Sequence, residues 1–258
     1  MRWHCHDLFH RMPPGATAGG IAVVIDVLRA STTMITALAS GALAVISEAD
    51  VAAARHRAAA AGTAAVLGGE RGGIRIDGFD LGNSPAEYTA ERVAGRIVVI
   101  TTTNGTAALA ACDAALERLV GAFVNRSAVA AAARRLAAMH RAHDVHLVCA
   151  GTDGTVTDED VLAAGAILDA AAADAAGADE PLDGPAREAR DRFRQLVAAH
   201  PLNPDAGLAR AFADAPGGAN LIALGMADDL PRCARLDAVR VVPRLDRARG
   251  WLCPETPG

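Results

Sequence analysis

Lysine is absent from this chain of 258 residues: all 25 of its basic side chains are arginine. That absence removes Schiff-base chemistry, and with it the lysine through which a P-loop reaches phosphate. No run of ~18–20 uncharged apolar residues is present, so no segment reads as a membrane-spanning helix. Apolar residues make up 52% of the chain, but much of that is alanine, which suits helices in a soluble protein. The stretch MRWHCHDLFHRMPP holds three histidines and no apolar core, unlike a secretory signal. A disulfide framework is missing as well. Cys5, Cys112, Cys149, Cys233 and Cys253 are odd in number and widely spaced, which fits reduced thiols and neither disulfide nor zinc pairs. The net charge is −5 with the basic residues scattered, so there is no nucleic-acid footprint. The expectation is a cytoplasmic protein acting on a small molecule, without nucleic acid or membrane as partner; a homodimer is left open.

What is present alternates between strand-like and helical runs, the pattern of a mostly parallel sheet covered by helices. Strands are predicted at 21–25, 44–47, 64–68, 97–101, 119–124, 145–149 and 238–242. Helices are predicted at 32–40, 49–61, 84–92, 106–115, 127–141, 158–175, 186–199, 205–214 and 226–234. The fold class is α/β, and residues 1–258 are read as a single domain. The acidic, Pro- and Gly-bearing stretch 176–186 is a surface loop or, less economically, a subdivision.

The most informative segment is IAVVIDVLRASTTMITAL, residues 21–38. A buried-strand run ends in Asp26, and Ser31-Thr32-Thr33 opens a helix five residues later. Strand, tight loop and helix start make an anion site, to which Arg29 adds a fork suited to phosphate or carboxylate. The plainer alternative is a capped turn with Asp26 paired to Arg29. Two further units share the plan: VVIT runs into Thr101-Thr102-Thr103-Asn104-Gly105-Thr106, and HLVC into AGTDGTVTDED. The Thr and Asn donors of the second loop suit an anionic oxygen, or else cap a helix. In GGERGG (68–73) and IRIDGFDLGNSP (74–85), glycines surround Glu70-Arg71 and permit close approach to a ligand. Glu70 and Asp80 are carboxylates that suit Mg²⁺. Ser84 and Glu87 read as a capping box, Cys149 as a small buried residue, and Asp158, Glu159 and Asp160 as first-turn acids favoured by the helix dipole. The spacing His4-Cys5-x₅-Arg11 imitates a cysteine phosphatase but lacks the strand, glycine nest and helix such a site needs.

Together these motifs resemble the 2-phosphosulfolactate phosphatase family. The resemblance is carried by VVIDVLRASTTMITAL, GGERGGIRIDGFDLGNSPAEYT, VVITTTNGTAAL, FVNRSAVA, HLVCAGTDGTVTDED, AGAI and GGANLIALGMADDL, in the family's order and over most of the chain. It implies a three-layer α/β/α fold and Mg²⁺-dependent hydrolysis of (R)-2-phospho-3-sulfolactate to 3-sulfolactate and phosphate. Carried over by position, Asp26, Arg29, Ser31, Thr32, Glu70, Arg71, Asp80, Thr103, Asn104, Gly105 and Cys149 are the matching polar residues. Within that set Arg29, Ser31, Thr32 and the Thr103–Gly105 loop are assigned to phosphate. Asp26, Glu70 and Asp80 are assigned to Mg²⁺ or to activating the nucleophile, and Arg71 to a second acid group. Residues 170–216 carry no motif to compare. A haloacid-dehalogenase mechanism is disfavoured because Leu28 stands where its second Asp belongs. A non-catalytic phospho-ligand binder would not need Glu70 and Asp80.

Overall fold

Ile21–Ile25 is buried on both faces, as a central parallel strand must be, and the sheet is built outward from it. The computed structural model describes residues 1–174 and 180–255. Its strands are β1 (Arg2–His6), β2 (Ile21–Ile25), β3 (Ala44–Ser47), β4 (Ala65–Arg71), β5 (Ile74–Arg75), β6 (Ile97–Thr101), β7 (Glu117–Gly121), β8 (Asp144–Cys149), β9 (Pro243–Asp246) and β10 (Trp251–Pro254). Its helices are α1 (Ala30–Ala39), α2 (Val51–Ala61), α3 (Ala90–Val93), α4 (Gly105–Ala111), α5 (Arg126–His140), α6 (Asp158–Asp174), α7 (Gly184–Ala199), α8 (Pro204–Asp214), α9 (Pro216–Ala223) and α10 (Asp229–Cys233). None is long and apolar enough to cross a membrane.

One sheet holds all the strands, in the order β1-β8-β2-β7-β9-β10-β3-β6-β4-β5. The strands β1, β8, β2 and β7 are mutually parallel, and so are β3, β6 and β4. Between these sets lies the hairpin β9–β10, antiparallel within itself and to both neighbours. Three antiparallel pairings in succession make the second set run against the first. Twist then reverses the consequence. At roughly 20–25° per neighbouring pair, the steps from β2 through β7, β9, β10 and β3 to β6 accumulate more than a right angle. The carboxyl ends of β2 and β6 are thereby brought to one place.

Side-chain alternation shows the layers. Ile21, Val23 and Ile25 of β2 pack with Val129 and Leu136 of α5 and Ile167 of α6. Ala22 and Val24 face Ile35 and Leu38 of α1 and Leu109 of α4. Val45 of β3 and Val98 and Ile100 of β6 join the same cluster as those helices. Those strands turn Ile46 and Val99 toward Ala54 and Ala58 of α2. The α/β class, the three-layer α/β/α arrangement and the mostly parallel sheet are what the chain builds.

Departures from the predicted elements have local causes. The expected strand 119–124 lies at Glu117–Gly121, in register with β2 from Ile21↔Glu117. It stops where Asn125 Oδ1 accepts the Ala122 N–H at 3.0 Å. No strand forms at 238–242; β9 and β10 follow it. The expected helix 84–92 is a short turn at Pro85–Glu87 followed by α3, and Pro216 starts the unforeseen α9. Strand β1 was also unforeseen: Trp3 and Cys5 turn into the core while polar His4 and His6 occupy the other face. Of the stretch 176–186, residues 176–179 lie outside the described residues. From Pro181, whose carbonyl accepts the Trp3 N–H at 2.9 Å, the chain runs beside β1 into α7. Ala186, Ala189 and Phe193 of α7 join the core of α5 and α6.

Candidate active site

Asp26 begins the loop between β2 and α1, and that loop is organised around it. The Asp26 N–H donates to Ser31 Oγ at 2.9 Å, Ser31 N–H to the Asp26 carbonyl at 2.8 Å, and Ala30 N–H to Asp26 Oδ1 at 3.2 Å. Across from it, the start of α4 must be glycine. A Cβ on Gly105 would lie 2.7 Å from Asp26 Oδ2 and 2.6 Å from Ala30 Cβ, so the side chain's absence lets the two strand ends meet.

From the other set, Glu70 near the end of β4 enters the same space. Its Oε1 accepts from the Thr103 N–H at 2.9 Å and hydroxyl at 3.0 Å, and its Oε2 from the Gly73 N–H at 2.7 Å. Arg29 is 3% exposed and reaches across: Nη1 donates to Asp229 Oδ2 at 2.7 Å and Met226 Sδ at 2.8 Å, Nη2 to the Gly73 carbonyl at 2.9 Å. Its ionic partner is Asp229 and not Asp26. A cavity of about 130 Å³ results, lined by Asp26, Arg29, Glu70, Asn83, Thr103 and Asn104 among others. The third loop of the shared plan reaches it through Thr152 and Asp153, and α9 closes it with Gly217, Asn220 and Leu221. Among the described residues, no group of three or more His, Cys, Asp or Glu side chains is placed to hold a metal ion.

Five expected site residues do not line this cavity, and one of them, Gly105, is the residue packed on Asp26 and Ala30. Ser31 and Thr32 are buried, with hydroxyls turned to backbone: Ser31 Oγ accepts from Asp26 N–H, and Thr32 Oγ1 donates to the Val27 carbonyl at 2.9 Å. Arg71 is exposed and donates to the Glu70 carbonyl at 2.7 Å and Thr101 Oγ1 at 3.0 Å, bracing the strand that carries Glu70. Asp80 is exposed and accepts the Leu67 N–H at 2.8 Å, so its carboxylate fastens a loop away from Asp26 and Glu70. The glycines around Glu70 serve protein packing first: a Cβ on Gly69, at φ +147°, would collide with the Thr101 carbonyl. Glu87 caps the Gly82 N–H at 3.0 Å, while Ser84 accepts from Ala86 N–H and donates to Asp229 at 2.6 Å.

Sequence reasoning passed over Asn83 and Asp229, and read the first-turn acids of α6 only as suited to the helix dipole. Asp160 is buried and accepts N–H groups from both Val27 at 2.8 Å and Gly151 at 2.9 Å, fastening two site loops together. Burial lifts its carboxyl to about 6 against those N–H donors. Burial and then the nearby Asp160 charge lift Glu159 to about 7. Asp26 is raised well above the ordinary carboxylate range by burial, then by the charges of Asp160, Glu70 and Glu159, with the Ala30 N–H opposing. Cys149 is a free, fully buried thiol whose hydrogen bond with Cys5, and then burial, push it far up, so it is no nucleophile. Cys5 lies buried within β1, and Arg11 pairs with Asp7, so the phosphatase-like spacing at the amino terminus forms no site.

Comparison with known proteins gives the family. A family model described as 2-phosphosulpholactate phosphatase matches residues 8–248. A Symbiobacterium thermophilum protein named probable 2-phosphosulfolactate phosphatase is 39% identical over 237 residues, covering 90% of this chain and 93% of that protein. Proteins of the same printed name from Synechococcus sp. (strain RCC307) and Deinococcus radiodurans are 40% and 41% identical. They cover 90% and 87% of this chain, and 92% and 87% of their own. Matched along nearly its whole length, the chain belongs to the 2-phosphosulfolactate phosphatase family of phosphoric monoester hydrolases.

Proposed function

We propose that this chain hydrolyses (R)-2-phospho-3-sulfolactate to 3-sulfolactate and phosphate in the cavity where β2, β4 and β6 end, with Mg²⁺ as cofactor. The observation that carries the reading is the meeting of Asp26, Arg29, Glu70, Thr103 and Asn104 around one cavity, from two sets of strands. Asp26 and Glu70 suit Mg²⁺, which is commonly held through one or two carboxylates together with substrate phosphate. Charge balance points the same way. The positive charge of Arg29 is matched by buried Asp229, which leaves Asp26 and Glu70 to repel an incoming phosphate dianion. When bound, Mg²⁺ would neutralise charge on the phosphate oxygens.

The remaining roles belong to the chain itself. Bonds to Met226, Asp229 and Gly73 leave two of the five guanidinium N–H groups of Arg29 for an anion. Thr103 is held by Glu70 at the mouth of α4, and Asn104 beside it offers its amide. Asp26, at the end of β2, orients the attacking group. Asp80 is left out of the metal set and Arg71 out of the substrate set. The five free cysteines support placing the reaction in the cytoplasm.

The test is phosphate release from a panel of phosphorylated 2-hydroxy acids, with and without a sulfonate, in EDTA and in Mg²⁺. Release is expected only with Mg²⁺ and fastest with the sulfonated compound. Full activity after exhaustive chelation would remove the cofactor from the reading. Saturable binding without release from any compound would favour a phospho-ligand binder.

A further inference from the structure

We propose that the Asn83 side-chain oxygen is the third protein oxygen on the divalent cation, beside Asp26 and Glu70; this rests on the Mg²⁺ reading above. Asn83 is 5% exposed and lines the cavity with Asp26, Arg29 and Glu70. Its Oδ1 is buried and has no hydrogen-bond partner among the described residues. Buried amide oxygens are nearly always paired, because an unpaired one forfeits its hydration with nothing in return. The partner is therefore to be sought in the cavity.

The surroundings identify the kind of partner. Asn83 cannot drift away to find one. Thr33 Oγ1 donates to its carbonyl at 2.8 Å, and Ser84 beside it is tied to Asp229, which holds Arg29. Nor does the protein supply a donor. Three Arg29 N–H groups reach Met226, Asp229 and Gly73 and the other two make no bond to Asn83, while the Thr103 N–H and hydroxyl reach Glu70. The named substrate, a phosphate ester that also carries a carboxylate and a sulfonate, brings acceptors only. An unpaired amide oxygen beside two carboxylates is matched by a hard cation, for which side-chain amide oxygens are ordinary ligands. It also explains how a cation can be held without a third acidic, histidine or cysteine ligand.

Calorimetric titration of the chain with Mg²⁺ alone, without substrate, tests this. Wild type should bind one ion, and Asn83→Leu, which keeps the volume without the oxygen, should bind it at least about tenfold more weakly. Even outer-shell partners of metal ligands act on that scale. The melting temperature of the leucine variant in EDTA should equal or exceed that of wild type, because an unpaired buried acceptor has gone. Asn83→Asp is the second variant. It should melt lower in EDTA, from added carboxylate repulsion, and show a larger Mg²⁺-dependent rise than wild type. Undiminished Mg²⁺ affinity in Asn83→Leu, or no enlarged rise in Asn83→Asp, would overturn the role of Asn83 and leave the Mg²⁺ reading standing. Failure of wild type to bind Mg²⁺ would overturn both.

Discussion

Arg29 shows how little of a side chain's role its neighbours in sequence reveal. Standing three residues after Asp26, it invites pairing with that carboxylate, yet its partner is Asp229, 200 positions away and equally buried. Removing one member of a buried pair leaves the other charge uncompensated. Asp229→Ala should therefore destabilise the protein by about 3–5 kcal/mol, read by urea unfolding; an unchanged midpoint would contradict the pairing. Arg71, which points to strand backbone and Thr101, gives a second test. Arg71→Lys should raise KM for sulfonated substrate and for p-nitrophenyl phosphate by the same factor, and a selective effect on the sulfonated compound would place Arg71 in the pocket after all. At this scale the gathering of Asp26, Arg29, Glu70, Thr103 and Asn104 around one cavity was legible, because strand ends and loops say where such residues sit. Ser31, Thr32 and Asp80 were not, because the direction of a hydroxyl or carboxylate depends on which backbone N–H or carbonyl lies nearest, and pattern does not show that.

Among the elements, α6 separates the two kinds of information most clearly. Its three opening acids fit the helix dipole, and for Asp158, exposed and paired with Arg192 at 2.7 Å, that is sufficient. Asp160, two residues on and on the other face, instead pins the loops after β2 and β8. Its partners come from residues far away in sequence, so no local pattern announces them. Glu159 lies between, buried, with Oε2 unpartnered among the described residues. Its carboxyl is raised from an ordinary 4.5 to about 7, so folding favours the neutral form. The associated stability is fully present below about pH 4.5 and is lost as pH rises through about 7. Glu159→Gln, permanently neutral, should therefore melt higher relative to wild type at pH 8 than at pH 5. An equal difference at both pH values would contradict the buried, raised carboxyl.

Over the whole molecule, the strands of each parallel set, β1 apart, were readable as apolar runs, while their mutual arrangement was not. The hairpin β9–β10 separates the sets and is itself joined to them by isolated pairings, Leu119↔Arg244 and Leu252↔Val45. Its contribution is therefore packing as much as hydrogen bonding: Leu252 is fully buried in the core shared by α1, α4 and both sets. Leu252→Ala should cost about 2–5 kcal/mol. Leu202→Ala, at a side chain 99% exposed, should stay within about 0.5 kcal/mol. Equal effects in thermal or urea unfolding would contradict the hairpin's place between the sets. The accumulated twist then lets β2 and β6, nominally opposed, end against one another, with Gly105 seated on Asp26. That convergence makes the cavity, and no single motif contains it.

The most direct test of chemistry in that cavity is turnover of Asp26→Asn on (R)-2-phospho-3-sulfolactate, measured beside its melting curve. The substitution keeps size and hydrogen bonding at the end of β2 and removes the charge. A well-placed charged group is commonly worth ~10²–10⁴ in rate. The expected result is a loss of kcat on that scale in a protein that melts at or above the wild-type temperature, since burial and three neighbouring carboxylates disfavour the charge. Near-wild-type turnover per folded molecule would contradict the placement of the reaction at Asp26.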